Sequence, residues 1–160
     1  TLRVASEAAA SAVLDERDAR LRSLDQQARP LLARIVDGPE ISSDERLVCE
    51  LLEAELRDSL RARGLVDDRL SHAARSARSR GVQVVLLDDR GDDALDPAVR
   101  TELAASVADR LDALDTGAAT ARLLPAGRTH LASMLVDDDS THRIEYDHDG
   151  RPTDAATSAD

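Results

Sequence analysis

The sequence predicts an α+β protein, with an N-terminal antiparallel helical hairpin followed by a small β-α-β-β-β module. Residues 2–63 carry apolar side chains at helical spacing, whereas an aliphatic run begins at Val82 and precedes one more helix and three short strand patterns. A chain of 160 residues, 42% of them hydrophobic, can form one domain with an appended helical segment. We therefore expect a dimerisation hairpin (1–64), a linking helix with the small α/β module (65–148) and a disordered, small and polar tail (149–160).

The first helix is predicted from Leu2 to Val36, where Pro30 is the one residue that disfavours helix. Because proline lacks a backbone N–H, we expect a kink near Gln26. Between residues 21 and 35 the apolar positions are separated by steps of 3, 4, 3 and 4, which is the pattern of a heptad seam. The seam is short enough to suit a helical bundle as well as a coiled coil. The predicted dimer seam consists of Leu14, Leu21, Leu24, Ala28, Leu31 and Ile35.

The second helix is predicted to begin at Ser42 and to end before Gly64. Ser42 and Glu45 have the spacing of a capping box, in which each residue satisfies the backbone N–H of the other. The short Gly-Pro turn before this helix favours an antiparallel hairpin with the first. A third helix is predicted from Asp67 to Arg80. The apolar stripe of the second helix consists of Leu47, Leu51, Leu52, Leu56 and Leu60.

The α/β module is predicted to start with the strand Val82–Leu87, whose nearly continuous apolar run is typical of a strand covered on both faces. Asp96 and Pro97 mark the start of a helix that ends before Gly117. Since Tyr146 is the only aromatic residue, the core must consist of aliphatic side chains, and self-association would help so thin a core. The three further strands are predicted at Ala118–Leu124, Thr129–Val136 and Thr141–Tyr146.

The composition excludes several classes of function. The chain has 21 basic and 32 acidic residues, a net charge of -11, and contains no Lys, so no P-loop or Schiff-base lysine is present. The acidic excess argues against binding to nucleic acid. Cys49 is the single cysteine, so there is no internal disulfide, and it suits a small buried residue better than a nucleophile. With no apolar run long enough for a membrane span and no signal-peptide pattern, we expect a cytoplasmic location.

The remaining polar side chains do not have the pattern of a chemical site. His72 on the third helix has no acid or proline beside it and is expected to be an ordinary helical residue. No G-x-S-x-G elbow accompanies a serine nucleophile. We predict no catalytic residue, no cofactor site and no metal site, since an acidic hairpin and tail account better for the remaining group. That group consists of His142, Asp147, His148 and Asp149, with Asp137, Asp138 and Asp139 on the preceding turn.

The order of long helix, partner helix and a module starting Gly81-Val82-Gln83-Val84 resembles the cytoplasmic half of two-component sensor histidine kinases. In that family a dimerising hairpin precedes an ATP-binding α/β sandwich. Residues 25–31, Asp-Gln-Gln-Ala-Arg-Pro-Leu, lie where the family has its phosphoacceptor motif, H-E-x-x-x-P-L in outline. Pro30 and Leu31 match this motif, while Asp25 replaces the histidine and Gln26 the glutamate. The resemblance covers residues 10–146, and the use of Arg without Lys is typical of a high-GC bacterium.

The departures from the family are chemical. A carboxylate at position 25 is not the imidazole acceptor of the family, and the chain has no Asn and no glycine boxes with which to hold magnesium and nucleotide. The resemblance therefore implies a degenerate, shortened relative: a non-catalytic dimerisation and signalling module. The alternatives are a nucleotide-binding histidine kinase fragment and a structural domain of another kind. The expected partner is a second copy, with another signalling protein as the alternative, without direct membrane contact in this fragment.

A second resemblance involves the segment Val84–Asp89, which looks like the first strand of a response-regulator receiver domain. There an acidic pair, here Asp88 and Asp89, holds magnesium at the end of a strand. The receiver also requires a later lysine and a repeated βα unit, and this chain has neither after residue 82. We therefore expect Asp88 and Asp89 to be loop residues. Because the chain starts at Thr1, already within a helical pattern, we expect a piece of a longer protein, such as the soluble part of a membrane-anchored one.

Overall fold

The computed structural model describes residues 2–38 and 40–153, and within them the chain forms four helices and five strands. Contacts divide the chain into two compact units, Thr1–Leu56 and Arg57–Asp160. The predicted fold class is confirmed, because two helices precede an α/β part with a mixed sheet.

The first unit consists of helix α1, Leu2–Asp37, and most of helix α2, Ser43–Arg61. Helix α1 continues through Pro30, which removes one helical hydrogen bond without ending the helix. The predicted capping box is present: the Ser42 N–H donates to Glu45 Oε2 at 2.9 Å, and the Glu45 N–H donates to Ser42 Oγ at 3.2 Å. Arg34 Nε lies 3.3 Å from Glu45 Oε1, which ties the end of α1 to the start of α2.

In the second unit, helix α3 spans Asp68–Ser79, in agreement with the predicted helix. The Asp67 side chain caps its start by accepting a hydrogen bond from the Leu70 N–H at 2.8 Å. The helix ends where Gly81 adopts a φ of 95°, a conformation that glycine adopts without steric cost. The next helix, α4, spans Pro97–Asp112 and is capped by Asp96, as its sequence predicts.

The sheet has five strands in the order β1-β2-β3-β4-β5. Helix α4 connects β1 to β2, which run parallel, and the remaining pairs are antiparallel. The first four strands follow the predicted β-α-β-β-β order. Their bounds are Gln83–Asp88 for β1, Ala118–Leu123 for β2, Ala132–Asp137 for β3, Thr141–Tyr146 for β4 and Pro152–Thr153 for β5.

One face of the sheet forms the core together with α3 and α4. Every second residue of β2 and β3 is buried, as are two alternate residues in each of β1 and β4, and these side chains belong to one core cluster with the buried side chains of both helices. Tyr146, Leu103 and Met134 are the centre of this aliphatic core and are fully buried. The predicted core composition is therefore confirmed, with a single aromatic ring inside it.

The prediction that the first strand is covered on both faces is wrong. In β1 the residues Val84 and Leu86 are buried, but Val85 is 45% exposed. Among the described strands, β1 also lies at the edge of the sheet and pairs with β2 alone. A run of aliphatic residues shows that a strand is apolar, but the number of layers around it depends on helices that are distant in sequence.

The predicted tail also requires a correction at its start. The Asp147 carboxylate accepts hydrogen bonds from the Asp149 N–H at 3.0 Å and the Arg151 N–H at 2.9 Å, which forms a tight turn. After this turn Pro152–Thr153 pairs with β4 as the short strand β5. The rest of the predicted tail, 154–160, lies outside the described residues.

Candidate functional site

Exposed apolar side chains are concentrated in the first unit. Of the fourteen large apolar residues that are exposed in the described part of the chain, eleven lie between residues 2 and 56. In contrast, the contiguous core cluster lies entirely within residues 62–146. The eleven residues are Leu2, Val4, Val13, Leu14, Leu32, Ile35, Val36, Ile41, Leu47, Val48 and Leu56.

The predicted dimer seam on α1 has two parts in the structure. Leu24 is buried, and Leu21, Ala28 and Leu31 are half-buried, so these four form the least exposed apolar face of the helix. Leu14 and Ile35 are 56% and 40% exposed. The single chain thus covers the middle of the seam and leaves its two ends in solvent, and pairing of the seam with a second copy stays a prediction.

A second group of apolar residues on α1 joins Leu14 of the predicted seam to Leu32 and Val36, which were not predicted as seam residues. Leu14 and Leu32 are 18 residues apart, about five turns of an α-helix, so they lie on the same side of α1. Val36 follows Leu32 by four residues, about one turn, and is 85% exposed. We call Leu14, Leu32 and Val36 the exposed strip. The heptad steps did not reveal it, since its members flank the predicted seam and do not all belong to it.

Helix α2 shows a similar division. Leu51, Leu52 and Ala54 are buried, whereas the predicted stripe residues Leu47 and Leu56 remain exposed. Within residues 2–56 as described, only Leu24 and these three α2 residues are buried apolar side chains. Helices of this length obtain most of their stability from a packed apolar face. The first unit therefore has more apolar surface than it covers by itself.

The charges on α1 are balanced. The helix contains six arginines and six acidic residues, whereas the whole chain has a net charge of -11. Several of these charges pair within the helix: Arg20 Nη2 lies 3.0 Å from Glu16 Oε1, and Arg29 Nε lies 2.8 Å from Asp25 Oδ2. A second α1 can therefore approach without the repulsion that the net charge of the chain produces elsewhere.

The two residues related to phosphoryl chemistry, Asp25 and His72, belong to different units of the chain. Asp25, at the position of the family's phosphoacceptor, is 57% exposed in its side chain and is bonded to Arg29. His72 is exposed on α3, with Ser71 and Ala73 on either side of it in the sequence. Cys49 on α2 is half-buried and has a free thiol, which is less covered than the sequence analysis expected.

The acidic pair after β1 has a structural role. Asp88 accepts hydrogen bonds from the Gly64 N–H at 2.9 Å and from the Arg90 N–H at 2.8 Å. Asp89 lies 3.3 Å from Arg122 Nη1, on the surface. The prediction that both are loop residues is wrong for Asp88, which is the last residue of β1, whereas Asp89 lies in the loop after it.

The histidine and aspartate residues near β4 are separated by the strand. His142 lies near the beginning of β4, and Asp137, the last residue of β3, is paired with Thr141 there, whereas Asp147 and His148 follow the end of β4. Six residues of extended chain at about 3.3 Å each place the two groups roughly 20 Å apart. Among the described residues, no three His, Cys, Asp or Glu side chains are grouped closely enough to hold a metal ion.

Within the part of the chain that the structure describes, no helix has the length and apolar character needed to cross a membrane. Comparison with known proteins gives no family model, no curated protein and no solved structure that matches this chain significantly.

Proposed function

We propose that this chain is a non-catalytic dimerisation module, in which α1 and α2 of two copies associate through their exposed apolar side chains. The observation that carries this proposal is the concentration of exposed large apolar residues between residues 2 and 56. The partner is a second copy of the chain, and the product is a bundle formed by two helices from each copy.

The size of the hydrophobic effect supports association. Burying one leucine side chain stabilises a structure by about 1.5–3 kcal/mol, whereas a surface ion pair contributes roughly 0–1 kcal/mol. The exposed strip on α1 and the residues Leu47 and Leu56 on α2 offer five such side chains in each copy. Covering even half of them outweighs the ion pairs on the surface of α1.

Two features of α1 favour a second copy as the partner. Its apolar positions from 21 to 35 follow heptad steps, the spacing with which like helices pair. Its charge is balanced, so two copies of α1 do not repel each other, although the chain as a whole is strongly acidic. A partner that recognises the acidic surface would instead bind elsewhere on the chain.

We extend this proposal to signalling in the cytoplasm, on the resemblance to sensor histidine kinases. In those proteins a dimeric helical hairpin connects an input to an α/β domain. The module here lacks the histidine, the Asn and the glycine boxes of the family, which supports a role in assembly without phosphoryl transfer. Another signalling protein that contacts the dimer is the alternative partner.

The experiment is light scattering coupled to size-exclusion chromatography. The wild-type chain is expected to elute as a dimer, and L14R/L32R is expected to be monomeric, because two arginines on the exposed strip would face each other across the interface. The matched control is Q26R/A33R, which adds the same charge at exposed positions on a different side of α1 and should remain dimeric. A monomeric wild type, or equal behaviour of both double variants, contradicts the proposal.

Calorimetry with magnesium and ATP tests the non-catalytic part separately. No saturable heat is expected, since the chain lacks lysine and asparagine as phosphate and metal ligands. Saturable binding would support the nucleotide-binding alternative, and it would leave the dimerisation result unaffected.

A further inference from the structure

Strand β1 lies at the edge of the sheet and has a sequence that favours pairing with other chains. Its residues 83–88, Gln-Val-Val-Leu-Leu-Asp, combine strong β propensity with a single charge. At the other edge of the sheet, in the part of the chain that the structure describes, β5 comprises the two residues Pro152–Thr153. Long apolar edge strands pair with other strands unless a protein covers them.

The alternation of hydrogen bonds along β1 shows which of its backbone N–H and C=O groups point away from β2. The Gln83 N–H donates to the Gly117 carbonyl and the Asp89 N–H donates to the Leu123 carbonyl, both at 2.9 Å. In a parallel pair a residue directs both of its backbone groups to the same neighbour, so the odd-numbered residues bond to β2. Val84, Leu86 and Asp88 therefore direct their backbone groups to the outer edge.

At one end of β1 this outer edge is capped by an arginine. Arg78 Nη2 donates to the Val84 carbonyl at 2.8 Å. The same guanidinium is held by the Asp58 carboxylate, with contacts of 2.6 Å and 3.1 Å. The side chains of Arg78 and Asp58 are only 11% and 8% exposed, so the cap is enclosed by protein.

At the other end of β1 a second contact holds the same segment of chain. The Gly64 N–H donates to Asp88 Oδ2 at 2.9 Å, and a Cβ at Gly64 would lie 2.5 Å from that oxygen. Between Asp58 and Gly64, Ser59 and Ala62 are buried. Asp58 near the end of α2 is thus linked to one end of β1 through Arg78, and Gly64 in the turn after α2 is bonded directly to the other end.

We propose that residues 58–64, which we call the strap, are a removable cover that prevents β1 from pairing edge to edge with β1 of a second copy. The contacts that hold the cover include Asp58–Arg78–Val84 and Gly64–Asp88. When these contacts open, the outward N–H and C=O groups of β1 become available for a ladder of hydrogen bonds. This role is independent of the proposed association through α1 and α2.

The test replaces the buried ion pair by apolar residues of similar size, in D58L/R78M. Such replacements of buried ion pairs are often neutral or stabilising, so the variant is expected to fold while lacking the cap on Val84. Amides of β1 are expected to exchange with deuterium about tenfold faster than in the wild type, the effect of losing one hydrogen bond of ordinary strength. The variant is also expected to form oligomers that grow with protein concentration and bind dyes specific for stacked β-strands.

The matched control is R69M/D109L, which removes an ion pair between α3 and α4 whose side chains are 47% and 72% exposed. Its β1 amides should exchange at the wild-type rate. All variants carry L14R/L32R, so that association through α1 does not contribute.

If D58L/R78M does not fold, the same exchange and association measurements are made on G64A. This variant opens the Gly64–Asp88 contact and leaves the Asp58–Arg78 ion pair intact. Unchanged exchange in β1, or faster exchange without association, overturns the proposal.

Discussion

The Gly64 N–H donates to the Asp88 carboxylate at 2.9 Å, and the pair leaves no room for a side chain at position 64. A methyl group there would lie 2.5 Å from Asp88 Oδ2 and 3.2 Å from Leu123 Cδ2. This contact joins residues that are 24 positions apart in the sequence. It explains why the turn after α2 contains a glycine. It also gives the Asp88 carboxylate, which follows the apolar run of β1, a hydrogen-bond partner within the fold.

Replacing either partner of this contact should destabilise the second unit. For G64A and for D88A we expect a loss of about 1–3 kcal/mol in the free energy of unfolding, since a hydrogen bond to a charged group is lost in a partly buried site. The control D89A removes only a surface ion pair and should cost at most about 0.5 kcal/mol. Urea unfolding followed by circular dichroism measures all three. Equal stability of G64A and the wild type would show that Asp88 moves aside without cost.

Because one face of the sheet is buried and the other is exposed, truncating two adjacent side chains of β3 should lower the free energy of unfolding by different amounts. Met134 is fully buried and its sulfur lies 3.9 Å from the Tyr146 hydroxyl, whereas Leu135 is 40% exposed on the other face. M134A should cost about 2–5 kcal/mol, because it leaves a cavity in the core. L135A should cost less than about 1 kcal/mol, since its side chain is already in contact with water. Similar costs in thermal or urea unfolding would mean that both faces of the sheet are covered.

The buried Tyr146 predicts a loss of stability at alkaline pH. Burial raises the pKa of Tyr146 above its ordinary value of 10.0, although the Ser106 hydroxyl and the charge of Arg110 lower it. Above that ordinary value the unfolded chain loses the phenolic proton before the folded chain does. The stabilisation is therefore fully present below pH 10.0 and is lost as the pH rises through the raised pKa of the folded state.

The measurement is urea unfolding at a series of alkaline pH values, with tyrosinate absorbance as a direct reading of ionisation. The chain contains no lysine and only one tyrosine, so few other groups titrate in this range. Y146F is the control and should be much less sensitive to alkaline pH. A wild type whose stability follows that of Y146F at every pH would contradict the prediction.

The capping box at the start of α2 predicts a response to acid. The hydrogen bond from the Ser42 N–H lowers the pKa of Glu45 below its ordinary value of 4.5, and the charge of Arg34 lowers it further. A lowered pKa means that the capping contribution is present above pH 4.5 and is lost as the pH falls through the pKa of the folded state. The Ser42 amide should therefore lose protection from exchange in acid.

Nuclear magnetic resonance titration of the Ser42 amide tests this response. E45Q keeps a side-chain oxygen that can accept the same hydrogen bond, but it does not ionise, so its protection should not change with pH in this range. Identical titration curves for the wild type and E45Q would show that another group controls the start of α2.

Most element boundaries were predictable because their causes are local. Asp67 and Asp96 cap the helices that follow them, and the Ser42–Glu45 pair forms the expected box within three residues. Alternation between Ala118 and Tyr146 indicated three strands, and their bounds differ from the prediction by three residues at most. The strand β5 after the turn at Asp147 and Gly150 was not predicted, because the two residues described in it are too few to show a periodic pattern.

The surface proposed for association was predictable only in part. Heptad steps indicated the apolar seam on α1, but they did not distinguish the covered residues Leu24 and Ala28 from the exposed Leu14. Leu32 and Val36 are one helical turn apart, but Leu14 lies 18 residues before Leu32, so the strip is not a continuous pattern in the sequence. The exposure of an apolar residue depends on how much of its helix the rest of the chain covers. Helical spacing in the sequence contains no information about this coverage.

The sequence by itself determined the α+β class, the helix caps, the order of strands along the chain and the exclusion of lysine-dependent chemistry. Each of these follows from residue identity or from patterns that span a few turns of chain. Only the tertiary structure decided that β1 is an edge strand with one open face, that Asp58 and Arg78 form a buried pair beside it, and that apolar residues of α1 are left exposed. These features arise from contacts between segments far apart in the sequence, and burial is a property of the folded surroundings of a residue.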